Sequence, residues 1–207
     1  MTTELPIFPL SSVLFPHMPL PLRIFEERYL VMLSRILQDE PSEFGQVLIE
    51  RGQESGGGES RFAIGTIARI VELEGGEGFV EMSTRGAHRF EVEEWLDDDP
   101  YPRGMVRFLD EFDWEPELSA TLERTEQTVR RVLAAASEYS DQVWPSSIEL
   151  SAIPVELAWQ LAAIAPLNPI DQVDLLRSTT LVRLLETTIE HTLAVEATLG
   201  SGWTGEL

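Results

Sequence analysis

Apolar side chains open this chain in an interrupted rhythm. Residues 5–29 read LPIFPLSSVLFPHMPLPLRIFEERY, with Pro6, Pro9, Pro16, Pro19 and Pro21 breaking the run. Proline fixes φ and carries no backbone N–H, so it is confined to sheet edges, strand starts and bulges. The stretch predicts two short edge-type strands, Leu5–Leu10 and Leu20–Ile24, joined by an irregular Pro-His-Met corner. A helix is predicted from Phe25 to Gln38, because Phe25, Tyr29, Met32, Leu33, Ile36 and Leu37 recur at helical steps. Glu26 and Glu27 suit its first turn, and Pro41 ends it.

Strand patterns follow. Gln46–Glu50 is a short one, and the Gly- and Ser-rich run 52–60 is a hairpin loop. Arg61–Glu74 is strand material with both faces partly apolar, which suits a wall bent at Gly65. Gly75–Gly78 is a turn, Phe79–Thr84 pairs back, and Arg85-Gly86-Ala87 leads into a further strand at His88–Trp95. Gly104–Phe112 supplies the last. Short strands, Gly turns and one inserted helix imply a small, strongly bent barrel or pair of sheets. After Pro116 the period becomes helical: one amphipathic helix to about Tyr139, another over Pro154–Ala165, a short one over Pro169–Arg177, and a last one capped by Ser178 or Thr179. The expectation is an α+β chain, with a β-rich lobe at 1–115, a helical bundle at 116–200 and a flexible tail at 201–207.

Several of these motifs resemble one family. Leu5-Pro6-Ile7-Phe8-Pro9-Leu10, Val13-Leu14-Phe15-Pro16, Leu20-Pro21-Leu22 and Ile24-Phe25-Glu26 with Arg28-Tyr29 resemble the opening of the Lon protease N-terminal, substrate-binding domain, in the form that occurs as a stand-alone bacterial protein. Gly65–Ile70 resembles its central G-T-x-A-x-I strand, and Thr84–Gly86 with Arg89-Phe90 its G-x-x-R-F strand pair. His17 departs from the pattern, standing where those stand-alone proteins often carry glycine. The resemblance implies a PUA-like pseudo-barrel and a module that holds unfolded or damaged polypeptide. It leaves a separate ATP-dependent protease and a homo-oligomer open as partners.

Composition narrows the chemistry. With 207 residues the chain can bury a real core, and its 43% hydrophobic and 25% charged content is that of an ordinary globular protein. No apolar run reaches the roughly 20 residues of a membrane span, and no basic segment after Met1 suggests a signal peptide. The absence of cysteine fits a cytoplasmic protein. A formal charge of −21 argues against nucleic acid and anionic membranes as partners, and so against the RNA binding that a PUA-like fold raises. All 15 basic residues are arginine. Without lysine there is no Walker A loop, and the Ser-Lys dyad of Lon-type proteolysis cannot form. No nucleophile elbow and no metal-ligand spacing among His17, His88 and His191 appears, so neither an enzyme, a metal nor a cofactor is expected.

Candidate binding residues remain. Phe15, Pro16, His17 and Met18 at the corner, with Phe25 beyond it, read as a recognition surface or, for His17, as a solvated loop residue. Arg85 and Arg89 read as grips for a client's carbonyls or as internal ion-pair partners. Trp95 and Trp114 read as the lining of a groove between lobes or as core. The Asp97-Asp98-Asp99 run reads as a solvated loop, and Glu91 with Glu93 as an exposed strand face. The leading expectation is a non-catalytic polypeptide-binding module that captures extended segments by strand addition at the Pro-rich edge. An interaction scaffold or small-ligand domain is the alternative, and a hydrolase is the weakest.

Overall fold

The computed structural model describes residues 2–38, 40–54, 57–139 and 143–201. Of the expected tail at 201–207, Ser201 closes the last helix and 202–207 lie outside the described residues, as do Ser55 and Gly56 of the Gly-rich loop. The chain is mixed α and β and divides into two compact units between Glu111 and Phe112, slightly before the expected boundary.

In the first unit the order is β1 (Thr3–Leu10), β2 (Pro19–Ile24), α1 (Glu27–Ile36), β3 (Glu43–Arg51), β4 (Ser60–Gly76), β5 (Phe79–Trp95) and β6 (Arg103–Phe108). All six strands form one sheet in the order β2-β5-β4-β3-β1-β6, and β6 also pairs with β5. That second pairing closes β1, β3, β4, β5 and β6 into a ring. The ring's interior is filled by Leu5, Ile7, Val47, Ile67, Phe90, Val92 and Val106. Gly65 is required there: a Cβ would meet the Gln46 carbonyl oxygen at 2.1 Å and the Phe90 ring at 2.8 Å. β2 lies outside the ring, against the N-terminal half of β5, while β6 takes the C-terminal half.

Three readings of the pattern are corrected. β1, expected as an edge-type strand, is paired on both sides, with β3 through residues 7–10 and with β6 through residues 3–6. β5 is a single strand of 17 residues, so Arg85-Gly86-Ala87 does not separate two strands but lies mid-strand. α1 starts at Glu27, which leaves Phe25 outside the helix and 62% exposed, while Tyr29, Met32 and Leu33 supply its buried face.

The second unit is helical throughout its described regular structure. A 3-10 turn (Pro116–Leu118) precedes α2 (Ser119–Ala136), α3 (Pro154–Ile164), α4 (Pro169–Leu176) and α5 (Leu181–Ser201). α5 packs against the other three helices. Leu122, Val129, Val132 and Leu133 of α2 and Leu184, Leu185 and Ile189 of α5 supply buried apolar surface. Thr180, rather than Ser178 or Thr179, meets the start of α5, accepting through Oγ1 from the Arg183 N–H at 3.2 Å. Arg130 and Arg131, near the end of α2, are tied to Glu126 at 2.8 Å and Glu196 at 3.0 Å.

Candidate functional site

The Pro-rich corner between β1 and β2 is held by two buried anchors. Gln46, 1% exposed on β3, accepts from the Leu14 N–H at 2.9 Å and donates to the Ser12 carbonyl at 2.7 Å. It therefore satisfies backbone groups that no ladder reaches. Gly86 on β5 accepts from the His17 N–H and donates to the Met18 carbonyl, both at 2.8 Å. The approach leaves no room for a side chain: a Cβ on Gly86 would lie 2.0 Å from the Phe15 carbonyl oxygen. His17 adopts φ 64, a left-handed conformation that costs a side chain energy and glycine nothing. The corner keeps that geometry with histidine in place.

These anchors change what the corner residues do. Phe15 is 1% exposed, Met18 is 4% exposed and Pro16 is buried, so their side chains have no surface to lend a client. His17 is half-buried. Phe25, by contrast, is exposed and borders a groove of about 200 Å³. Phe8, Leu10, Pro21, Leu22 and Ile24 supply its apolar walls, and Arg23, Glu26, Tyr29 and Glu54 its polar ones.

The groove's charges are largely paired within the unit. Arg28 lies 3.3 Å from Glu26, and Glu54 accepts from the Ser11 N–H at 2.6 Å. Tyr29 is different. Its hydroxyl is buried without a hydrogen-bond partner among the described residues. Burial pushes its proton affinity well above the ordinary tyrosine range; Arg28 opposes that, while Glu59 and Glu26 add to it. Apolar walls, an exposed phenylalanine and internally paired charges suit an uncharged apolar side chain.

The β2 edge beside this groove is not a template for strand addition. The Gly86 bonds to Met18 and His17, continued along the β2–β5 register, direct the backbone groups of Leu20, Leu22 and Ile24 toward β5. Pro19, Pro21 and Arg23 face outward. Two of those three lack an N–H, so the edge presents three carbonyls and one donor. The expectation that a segment adds at this edge is corrected on that ground.

The other expected residues lie apart. Arg89 is 5% exposed and donates to the Asp110 carbonyl at 3.0 Å. Burial lowers its pKa to about 10 against the pull of Asp110, and it stays charged at neutral pH inside the unit. It is no surface grip. Arg85 is exposed on β5. Trp95 packs against the ring core with the Arg61 guanidinium 5.2 Å above its ring. Arg61 is clamped by Asp98 and by Glu59, at 2.8 Å from Glu59 Oε1. Burial alone weakens that guanidinium's hold on its proton, but the bonds to Asp98 and Glu59 outweigh it and raise the pKa. Asp98 of the acidic run is thus an internal partner. Trp114 belongs to the second unit and is half-buried, while Trp159 stacks on Phe112 at 5.3 Å. Glu91 and Glu93 share Arg107, at 2.7 and 3.2 Å. His88 pairs with Glu111 at 2.6 Å and His191 with Asp174 at 3.1 Å. Among the described residues no cluster of three metal-ligating side chains occurs, and no helix is long and apolar enough to cross a membrane.

Sequence reasoning missed Gln46 and Gly86. Gln46 looks like any polar strand residue until the corner folds over it. Gly86 signalled a special position, but a turn and a close approach give the same letter.

Comparison with known proteins agrees with the architecture. The chain is 31% identical over 110 residues to Lon protease of Anaeromyxobacter dehalogenans (strain 2CP-C), covering 52% of this chain and 13% of that protein. It is 33% identical over 105 residues to Lon protease 2 of Myxococcus xanthus, again 13% of that protein's length. The crystal structure of a Lon N-terminal domain protein from Xanthomonas campestris superposes with a TM-score of 0.65 at 27% identity, covering 91% of this chain and 98% of that one. The N-terminal domain of the Mycobacterium avium complex Lon protease shares the fold, with a TM-score of 0.64 at 14% identity, over 92% of this chain and 98% of that one. The family model for the ATP-dependent protease La (LON) substrate-binding domain matches residues 4–193, and the chain belongs to that family.

Proposed function

We propose that the chain is a non-catalytic module that binds unfolded or damaged polypeptide segments, in a cytoplasmic setting and for a separate ATP-dependent protease. The observation that carries this reading is Phe25, 62% exposed beside an apolar groove of about 200 Å³ in a member of a substrate-binding family. The groove takes an apolar side chain of the client, and Phe25 covers it. Binding is by apolar area, which tolerates many sequences and falls in the micromolar range, about −8 kcal/mol. The lack of lysine supports a holding role rather than a cutting one. A PUA-like character for the first unit and a bundle for the second belong to the same reading.

The test compares native lysozyme with reduced, amidomethylated lysozyme, which keeps its net charge but exposes its apolar segments. The unfolded form binds at least about tenfold more tightly, and Phe25→Ser lowers its affinity roughly three- to tenfold without changing thermal stability. Equal, weak binding of both forms, or turnover of peptide or nucleotide by the pure protein, overturns the reading.

A further inference from the structure

β4 and β5 project past the ring as a two-stranded arm, with β2 lying along β5. β3 leaves β4 after the Glu43–Arg69 rung, where the Ile70 N–H still donates to the Ser42 carbonyl at 3.0 Å. Beyond it, residues 71–78 are all exposed. The outer side of β4 therefore has no neighbouring strand there among the described residues.

Which groups face outward follows from the register. Gly86 directs its N–H and C=O to the β2 side, so Thr84 and Met82 do the same, and Ser83 and Glu81 turn to β4. A bulge at Val71 separates the Ile70–Thr84 rung from the Glu72–Ser83 rung. Glu72 and Glu74, opposite Ser83 and Glu81, then bond inward. Leu73 and Gly75 are left facing out, each with one N–H and one C=O. No proline lies on this edge, unlike β2. It is a donor-and-acceptor edge of the kind that takes an added strand.

Side chains decide what kind of strand. Glu72, Glu74 and Glu81 share one face by register, and with Leu73, Met82 and Ser83 they border an open depression of about 630 Å³ along this edge. The other face carries Leu73, 42% exposed, above the buried Met82. A strand laid beside β4 alternates its side chains between those faces. Every second residue meets glutamates, and the residues between meet Leu73. A second copy of the chain is disfavoured, because its own arm would bring the same glutamates to the same face, on a body of charge −21.

We propose that the edge of β4 at Leu73 and Gly75 accepts an extended polypeptide segment in which basic and apolar residues alternate. The proposal rests on the polypeptide-binding reading and names a substrate class for it, at a place separate from the Phe25 groove. Backbone bonds give the attachment, and the glutamate face selects the charge.

The experiment uses a short blocked peptide of alternating Arg and Val, with a Glu-Val peptide as control. Amide exchange is followed by NMR on the full chain. The Leu73 and Gly75 amides exchange fast in the free protein and become protected on adding the Arg-Val peptide, while the Glu-Val peptide protects neither. Leu73→Pro removes an outward N–H that no internal rung uses, and it weakens the Arg-Val peptide roughly tenfold. The double variant Glu72→Gln/Glu74→Gln leaves the backbone untouched, weakens binding several-fold and flattens its salt dependence. Peptide binding without protection of these two amides overturns the proposal. So does retention of unfolded lysozyme with no Arg-Val binding, which leaves the polypeptide-binding reading standing. Loss of both ligands removes both.

Discussion

Two edges of the first unit's sheet, β2 and the tip of β4, are guarded in opposite ways. β2 is guarded by covalent structure: Pro19 and Pro21 take outward positions, and an incoming strand finds acceptors with almost no donors. The tip of β4 keeps its donors at Leu73 and Gly75 and is guarded by charge, through Glu72 and Glu74. An outward-facing proline offers no donor to any strand. A glutamate repels acidic strands and favours basic ones. The first device is unconditional and the second is selective, so one sheet can expose apolar surface beside β2 without pairing there and still pair at β4.

The largest effect is expected where the two edges are built separately. Gly86→Ala places a Cβ 2.0 Å from the Phe15 carbonyl oxygen, a clash with backbone that no rotamer relieves. The corner must lift, and β2 loses its alignment on β5. The expected cost is on the order of 3 kcal/mol, read as a lower midpoint in urea. Exchange should quicken first in the β2 amides of Leu20, Leu22 and Ile24. If Leu20, Leu22 and Ile24 keep their protection, the corner is not what holds β2.

The same corner shows how far the letters reach. Proline spacing was enough to place β1 and β2 and the edge status of β2, because a missing N–H is a property of the residue itself, but β1, expected as an edge strand too, lies between β3 and β6. The ring could be expected only as something small and bent: its closure depends on β6 pairing with both β1 and β5, which no local pattern encodes. Phe15 and Met18 were expected at the surface because a Pro-rich corner ordinarily lies there. Gln46 and Gly86, distant in sequence, pull that corner inward. The outward status of Leu73 required the bulge at Val71, which shifts the parity of β4 by one residue. Parity after a bulge is invisible until the partner strand is known.

A smaller effect tests the β2 guard directly. Pro21→Val restores one outward N–H at a position whose side chain is exposed. Folding stability should change by less than about 1 kcal/mol, since no internal rung involves that group. The edge, however, gains a donor between two carbonyls. The Glu-Val control peptide should bind a few-fold more tightly, and light scattering should show concentration-dependent association. Unchanged behaviour would mean that the groove beside β2, rather than proline, keeps strands away.

The smallest effect separates recognition by side chain from recognition by backbone. Tyr29 borders the β2 groove with a hydroxyl that has no partner among the described residues, so Tyr29→Phe removes an unmet polar group. Near neutral pH the change should be neutral or stabilising, by up to about 1 kcal/mol. Alkaline pH tells more. Burial raises the folded-state pKa of Tyr29 above its unfolded value, so its contribution is fully present below the unfolded value. Above about pH 10 the unfolded chain releases that proton while the folded chain keeps it, and stability falls by up to about 1.4 kcal/mol per pH unit from this group. The phenylalanine variant should lack that component of the slope in urea titrations across the alkaline range. Its affinity for unfolded lysozyme should stay within about twofold of wild type, because a groove that binds by apolar area gains nothing from the hydroxyl. A large loss of affinity would instead assign the hydroxyl to the client, and the β2 side would then read polar groups as the β4 edge does.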